Sequence, residues 1–295
     1  MIVIIVVGII AIVLFVRNII KNNIISPLSE PNTTKSIFSG IMPQKDPDEL
    51  RNKIKKQIGS TWDNYSVYVS DFNSPFTMGI NESTIYTGAS VNKVPILATL
   101  YAEAKKGNVD FDKVITLQQD DIQDYGTGSM RYDPPGTTYS IKTLARLTGQ
   151  LSDNTAAHIL GVDILSMDLI QKYVDGWGLT QTDMINNKTS NKDMEILFRK
   201  ILQGQITSPA LTQELLGFLK DTDTEDRLPA LLPKGTTVYH KIGTGVGEIH
   251  DVGVIVNGKL TYYMGIFTED VTDVDGAATL SAQLSKTVFD YMKSH

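Results

Sequence analysis

Apolar residues recur at strand period near both ends of the chain and at helical period between them. That pattern predicts an α+β domain: one antiparallel sheet built from distant segments, flanked by helices, with a helical insertion between its halves. Residues 65–71 and 76–80 alternate at one end, and residues 237–241, 252–256 and 260–268 alternate at the other. From Ser90 to Leu219 the apolar positions instead return every three or four residues, as on the buried face of a helix.

The elements follow in order. Residues 1–16 are almost unbroken Ile, Val, Leu, Gly and Ala, and the run continues through Ile20 and Ile25. This reaches the roughly 20 residues that a helix needs to cross a bilayer. A cleaved signal peptide would carry a basic n-region and a small-residue cleavage site, and neither is present. The expectation is a single-pass transmembrane anchor over residues 1–20. Arg17 and Lys21 follow the run and vote for a cytoplasmic domain. Two charges are a weak vote and long domains translocate largely regardless of charge, so the domain is expected outside the membrane.

Residues 21–45 are rich in Asn, Ser, Pro and Thr without apolar period and read as a linker. The globular domain, residues 46–295, opens at Asp46-Pro47-Asp48-Glu49: a capping Asp, Pro at the first helical position and acids in the first turn. That helix should end near Gly59. Residues 65–71 and 76–80 pair as a hairpin across Asn73-Ser74-Pro75. A long helical stretch begins around Ser90 and runs to about Lys106, with Val94, Ile96, Leu97, Leu100 and Tyr101 on its apolar positions. Further helices are expected at 141–149, 154–160, 167–176, 192–203 and 209–219, the last started by Ser208-Pro209. The closing strands meet at Asn257-Gly258, a strong hairpin signal, and a final helix fills 277–292.

Composition narrows the function. The 295 residues, 41% hydrophobic, suffice for one sizeable core. The net charge of −6 is scattered, whereas nucleic-acid binding needs a concentrated basic patch. With no cysteine there are no disulfides or thiolate metal sites, and the four histidines show no ligand spacing. No metal or organic cofactor is expected.

Three short strings carry chemistry: Ser90-Val-Asn-Lys93, Ser152-Asp153-Asn154 and Lys241-Ile242-Gly243. Each has a bland reading. Ser90 could cap a helix beside a solvated Lys93, Ser152 or Asp153 could cap the next helix, and Lys241 could precede an ordinary glycine turn. Chemically, residues three apart share one helix face, so Lys93 can bring its amine to the Ser90 hydroxyl and take its proton. A Ser-His-Asp hydrolase is disfavoured, because the segment around Ser90 lacks the second Gly of a nucleophile elbow and no His has a clear partner.

In that order the three strings resemble the S-x-x-K, S-D-N and K-T-G motifs of serine β-lactamases and penicillin-binding proteins. The surrounding Tyr86-Thr-Gly-Ala, Thr155-Ala-Ala157 and Asp226-Arg227-Leu-Pro229 also resemble class A β-lactamases. The resemblance runs from about Asp46 to the C-terminus and implies the β-lactamase/D,D-peptidase-like fold. It implies Ser90 as nucleophile, Lys93 as its base and Ser152 as a proton shuttle to the leaving nitrogen. Asn154 would hold a substrate carbonyl and Lys93, while Asp153 would fix the turn. Lys241 would attract a substrate carboxylate and depress the proton affinity of Lys93. Gly243 would let substrate approach, and the Thr244 and Ser90 amides would form the oxyanion hole. His158, on the helix after the second motif, reads as structural.

Two departures stand out. Ile242 replaces the hydroxyl residue of the third motif, so a charge-assisted hydrogen bond of roughly 1.5–3 kcal/mol is lost unless the Thr244 hydroxyl substitutes. The family's deacylating Glu-x-x-x-Asn is not evident: residues 178–191 contain Asp183 as their sole acid, with Asn186 and Asn187 nearby. The resulting expectation is a membrane-anchored serine hydrolase forming an acyl-enzyme with β-lactams or related amides. The alternatives are a D,D-peptidase acting on cell-wall peptides and a non-catalytic binding domain. The latter has no need for Ser90, Lys93, Ser152, Asn154 and Lys241 together.

Overall fold

The computed structural model describes residues 44–295. The expected anchor over 1–20 and nearly all of the expected linker over 21–45 lie outside the described residues. Among the described residues no helix is long and apolar enough to cross a membrane.

Helix α1 (Pro47–Ile58) starts where its cap predicts: Asp46 Oδ1 accepts from the Asp48 amide at 2.9 Å, and Gly59 closes it at φ 57°. Strands β1 (Asn64–Asp71) and β2 (Thr77–Ile80) form the expected hairpin. Strand β3 (Ile85–Thr87) leads into a 3₁₀ turn (Ala89–Asn92) and then helix α2 (Lys93–Lys105). The helical insertion continues through β4 (Val114–Thr116), β5 (Thr138–Ser140), α3 (Ile141–Gln150), α4 (Asn154–His158) and α5 (Met167–Gly176). It closes with β6 (Lys188–Ser190), α6 (Asn191–Leu202) and α7 (Pro209–Gly217). Strands β7 (Thr237–Thr244), β8 (Ile249–Asn257), β9 (Leu260–Glu269) and helix α8 (Val274–Ser294) end the chain.

The five-stranded sheet runs β2-β1-β9-β8-β7, every pair antiparallel, so the first and last segments of the domain join at its centre. Strand alternation sorts its two faces. Val67, Val69, Tyr262, Met264 and Ile266 pack with Leu50, Ile54, Leu284 and Phe289 of α1 and α8. Tyr68, Tyr263 and Phe267 face the other way, onto Leu97, Leu100 and Phe198 of the insertion. Each such side chain contributes about 1.5–3 kcal/mol by leaving water, which makes the sheet a rigid platform for the insertion.

Several details differ from expectation. The stretch around Ser90 is 3₁₀ rather than α-helical. Helix α4 stops at His158 and passes into a π-helix, Ile159–Leu165. The β8–β9 loop is Gly258-Lys259, because Asn257 pairs with Leu260. Its glycine, at φ 62°, takes the first central position, as a II′ turn requires. The two-stranded pieces β3–β6 and β4–β5 were not anticipated.

Candidate active site

Ser90 and Lys93 meet because of the 3₁₀ turn. At three residues per turn, positions i and i+3 eclipse, and Lys93 Nζ lies 3.0 Å from Ser90 Oγ. Ala89 enters the turn at φ 45°, a left-handed conformation that a residue with a Cβ adopts only when its surroundings impose it. Lys93 is 7% exposed. Its burial, reinforced by the nearby Lys241 charge, lowers its proton affinity well below the usual lysine range, with Asp153 and Asp223 opposing. Asn154 Oδ1, 2.7 Å away, and the Ser152 carbonyl can only accept from the amine. A neutral amine donates its two protons to these oxygens and presents its lone pair to the Ser90 hydroxyl.

The second motif sits between α3 and α4. Ser152 is held at φ 52°, with its Oγ 3.2 Å from Lys93 Nζ. Asp153 is consumed structurally: Oδ1 accepts from Ala156 N and Oδ2 from Met130 N, both at 2.9 Å. Asn154 donates through Nδ2 to the Tyr125 carbonyl at 2.9 Å and keeps its second N–H for a ligand.

The third motif lies on β7, antiparallel to β8. Ile242 and Thr244 line a cleft of about 670 Å³ together with Ser90, Lys93, Ser152 and Asn154. Lys241 and Gly243 are not among the residues that line it. Lys241 is 2% exposed, and burial holds its proton affinity down to about 8 against the pull of Asp223 and Asp251. Gly243 faces the nucleophile segment: a Cβ there would stand 3.1 Å from the Gly88 carbonyl oxygen and 3.1 Å from Val91 Cγ2. A glycine is needed there for this packing.

Arg227, 4% exposed, is the residue whose role the sequence left unassigned. Its Nη1 donates to the carbonyls of Gly243 and His250, and its Nη2 donates to Thr244 Oγ1 at 2.7 Å. Because that oxygen is accepting, the Thr244 hydroxyl proton is free to point at a carboxylate, the compensation that Ile242 calls for. Two buried histidines brace the strand from behind. His250 Nε2 donates to the Thr87 carbonyl at 2.9 Å and Nδ1 accepts from Thr268 N, and burial pushes its pKa down to about 4. For His240, burial alone would lower the pKa, but Asp251 and Glu225 outweigh it and hold it up to about 9.

The loop between the second and third motifs brings no carboxylate to the cleft. Asp183 folds onto its own turn, accepting from the amides of Ile185 and Asn186 and from Asn186 Nδ2. Those bonds, led by the Asn186 side chain, lower its proton affinity, and it does not line the cleft. Met184 and Asn187 do line it; Asn187 Oδ1 accepts from Asn92 Nδ2 at 2.7 Å. Glu248 is the one carboxylate among the described residues of the cleft wall, and His158 is its one histidine. Among the described residues no cluster of three or more His, Asp or Glu is placed to hold a metal ion.

The sequence model of the β-lactamase enzyme family matches residues 49–292. β-Lactamase VEB-1 of Pseudomonas aeruginosa is 25% identical over 280 residues, which cover 86% of this chain and 94% of that protein. The solved structure of PBP-A aligns with a TM-score of 0.78 at 26% identity, over 86% of this chain and 99% of PBP-A. A PBP-A variant has also been solved as an acyl-enzyme complex with penicillin G. The TLA-1 extended-spectrum β-lactamase shares the fold, with a TM-score of 0.78 at 22% identity over 84% of this chain and 99% of TLA-1.

Proposed function

This chain belongs to the β-lactamase enzyme family, and we propose that it opens β-lactams or related amides by forming an acyl-enzyme at Ser90. The observation that carries this reading is the amine of Lys93, 3.0 Å from Ser90 Oγ and driven toward its neutral form. Lys93 accepts the Ser90 proton as Oγ attacks the carbonyl carbon. The amides of Ser90 and Thr244 receive the developing oxyanion. Ser152 passes a proton to the leaving nitrogen, and the second N–H of Asn154 holds the substrate's side-chain carbonyl. A substrate carboxylate meets the Thr244 hydroxyl under the charges of Arg227 and Lys241.

Release of the acyl group is the slow step in this reading, because the loop offers the cleft Met184 and Asn187 instead of a carboxylate. The same observation favours a second reading, a D,D-peptidase or penicillin-binding protein acting on cell-wall peptides, in which slow β-lactam release is no defect. In both, residues 1–20 anchor the chain in the cell membrane and residues 21–45 tether the domain, residues 46–295, outside it. That topology rests on the sequence alone.

A fluorescent penicillin should label the protein covalently, Ser90→Ala should abolish labelling, and Lys93→Ala should slow it by about 10²–10⁴-fold, as for a lost general base. Labelling of the Ser90→Ala variant at the parental rate would remove Ser90 from its role. A C-terminal reporter that works only in the cytoplasm would overturn the topology.

A further inference from the structure

We propose that His158 is the base that releases the acyl group from Ser90, a step that rests on the acyl-enzyme proposed above. His158 ends α4 four residues after Asn154, so the two side chains leave one face of the helix. Both line the cleft that contains Ser90. His158 is half-buried and has no hydrogen-bond or ion-pair partner among the described residues. The backbone changes immediately beyond it into the π-helix Ile159–Leu165, a distortion that concentrates at functional sites.

The other groups of the cleft are committed or unsuited. Lys93, facing Ser90, Ser152 and Asn154, is assigned above to the acylation step. Glu248 stands at the β7–β8 turn with its carboxylate folded over Gly245. From the loop come Met184 and Asn187, neither of which can take a proton. Asn187 spends its oxygen on Asn92 and keeps an amide N–H to hold a water. Elements packed on α4 bring Lys142 and Arg146 of α3, Arg131 of the 3₁₀ turn Met130–Tyr132, and Asp163 of the π-helix, none of which lines the cleft.

The step balances with water as its one co-reactant. The neutral imidazole takes a proton from water as the water oxygen attacks the ester carbon, and the carbonyl oxygen becomes the oxyanion. On collapse the bond between that carbon and Ser90 Oγ breaks, and the imidazolium returns its proton to Oγ. Acid and free Ser90 leave, with His158 regenerated.

The test separates acylation from release in the full-length chain, by intact mass after rapid mixing with a penicillin, across pH. In His158→Asn and His158→Gln, acylation should stay within about twofold while release falls by about 10²-fold and loses its rise with pH. Glu248→Gln should keep both. An unchanged rate and profile in the His158 variants, or loss of the rise with pH in Glu248→Gln, would each overturn the assignment. No adduct on parental Ser90 would overturn the acyl-enzyme as well; an adduct with release indifferent to His158 overturns this step alone.

Discussion

Gly243→Ala tests how the third motif is built. The added methyl would stand 3.0 Å from His250 Cδ2, 3.1 Å from the Gly88 carbonyl oxygen and 3.1 Å from Val91 Cγ2. β7 cannot back away, because Arg227 Nη1 ties the Gly243 carbonyl to that of His250. Overpacking of this kind costs about 1–3 kcal/mol. For a domain of this size that lowers Tm by roughly 2–12 °C. The segment that gives way carries Ser90, and a misplacement of about 1 Å costs about 10²-fold in rate. A shift of a few tenths of an ångström therefore slows acylation by about five- to tenfold. Thermal unfolding and penicillin labelling read the two effects. Unchanged Tm with a raised KM alone would place Gly243 against the substrate and refute the packing role.

Three further outcomes follow from the geometry. Asp183→Asn should leave acyl release unchanged, because its carboxylate is spent on its own turn and does not line the cleft; a fall in release would return Asp183 to the chemistry. Lys241 is protonated below about 8 and loses its charge as pH rises through that value, so KM for carboxylate-bearing substrates should climb above pH 8. A KM flat to pH 10 would contradict this. His240 has a raised pKa, so its stabilisation is full below about 6.5, its unfolded value, and is lost as pH rises through about 9, by about 3 kcal/mol. His240→Gln should flatten that pH dependence.

The legible parts of the fold were those with local chemistry or long period. Asp46-Pro47 and Ser208-Pro209 set helix starts to the residue, because a cap and a proline act within one turn. The last three strands were found but ran longer than their alternation; at the start of β8, His250 and Asp251 are buried polar groups that break the pattern. Strands β3 to β6 are three residues each, too short for any period to register. In the site, motif spacing brought Ser90, Lys93, Ser152 and Asn154 together. It said nothing of Arg227, whose partners are backbone carbonyls distant in sequence. His158 had a usable signal, the four-residue spacing from Asn154, and the structure turns that spacing into a shared cleft wall.

The most direct measurement is the intact mass of the full-length protein followed over time after mixing with one penicillin. An adduct on Ser90 should appear in a burst near one equivalent and then decay slowly, because acylation has its base in Lys93 while release lacks a carboxylate on the loop. Steady product formation with no burst and no detectable adduct, or an adduct that persists in Ser90→Ala, would contradict it.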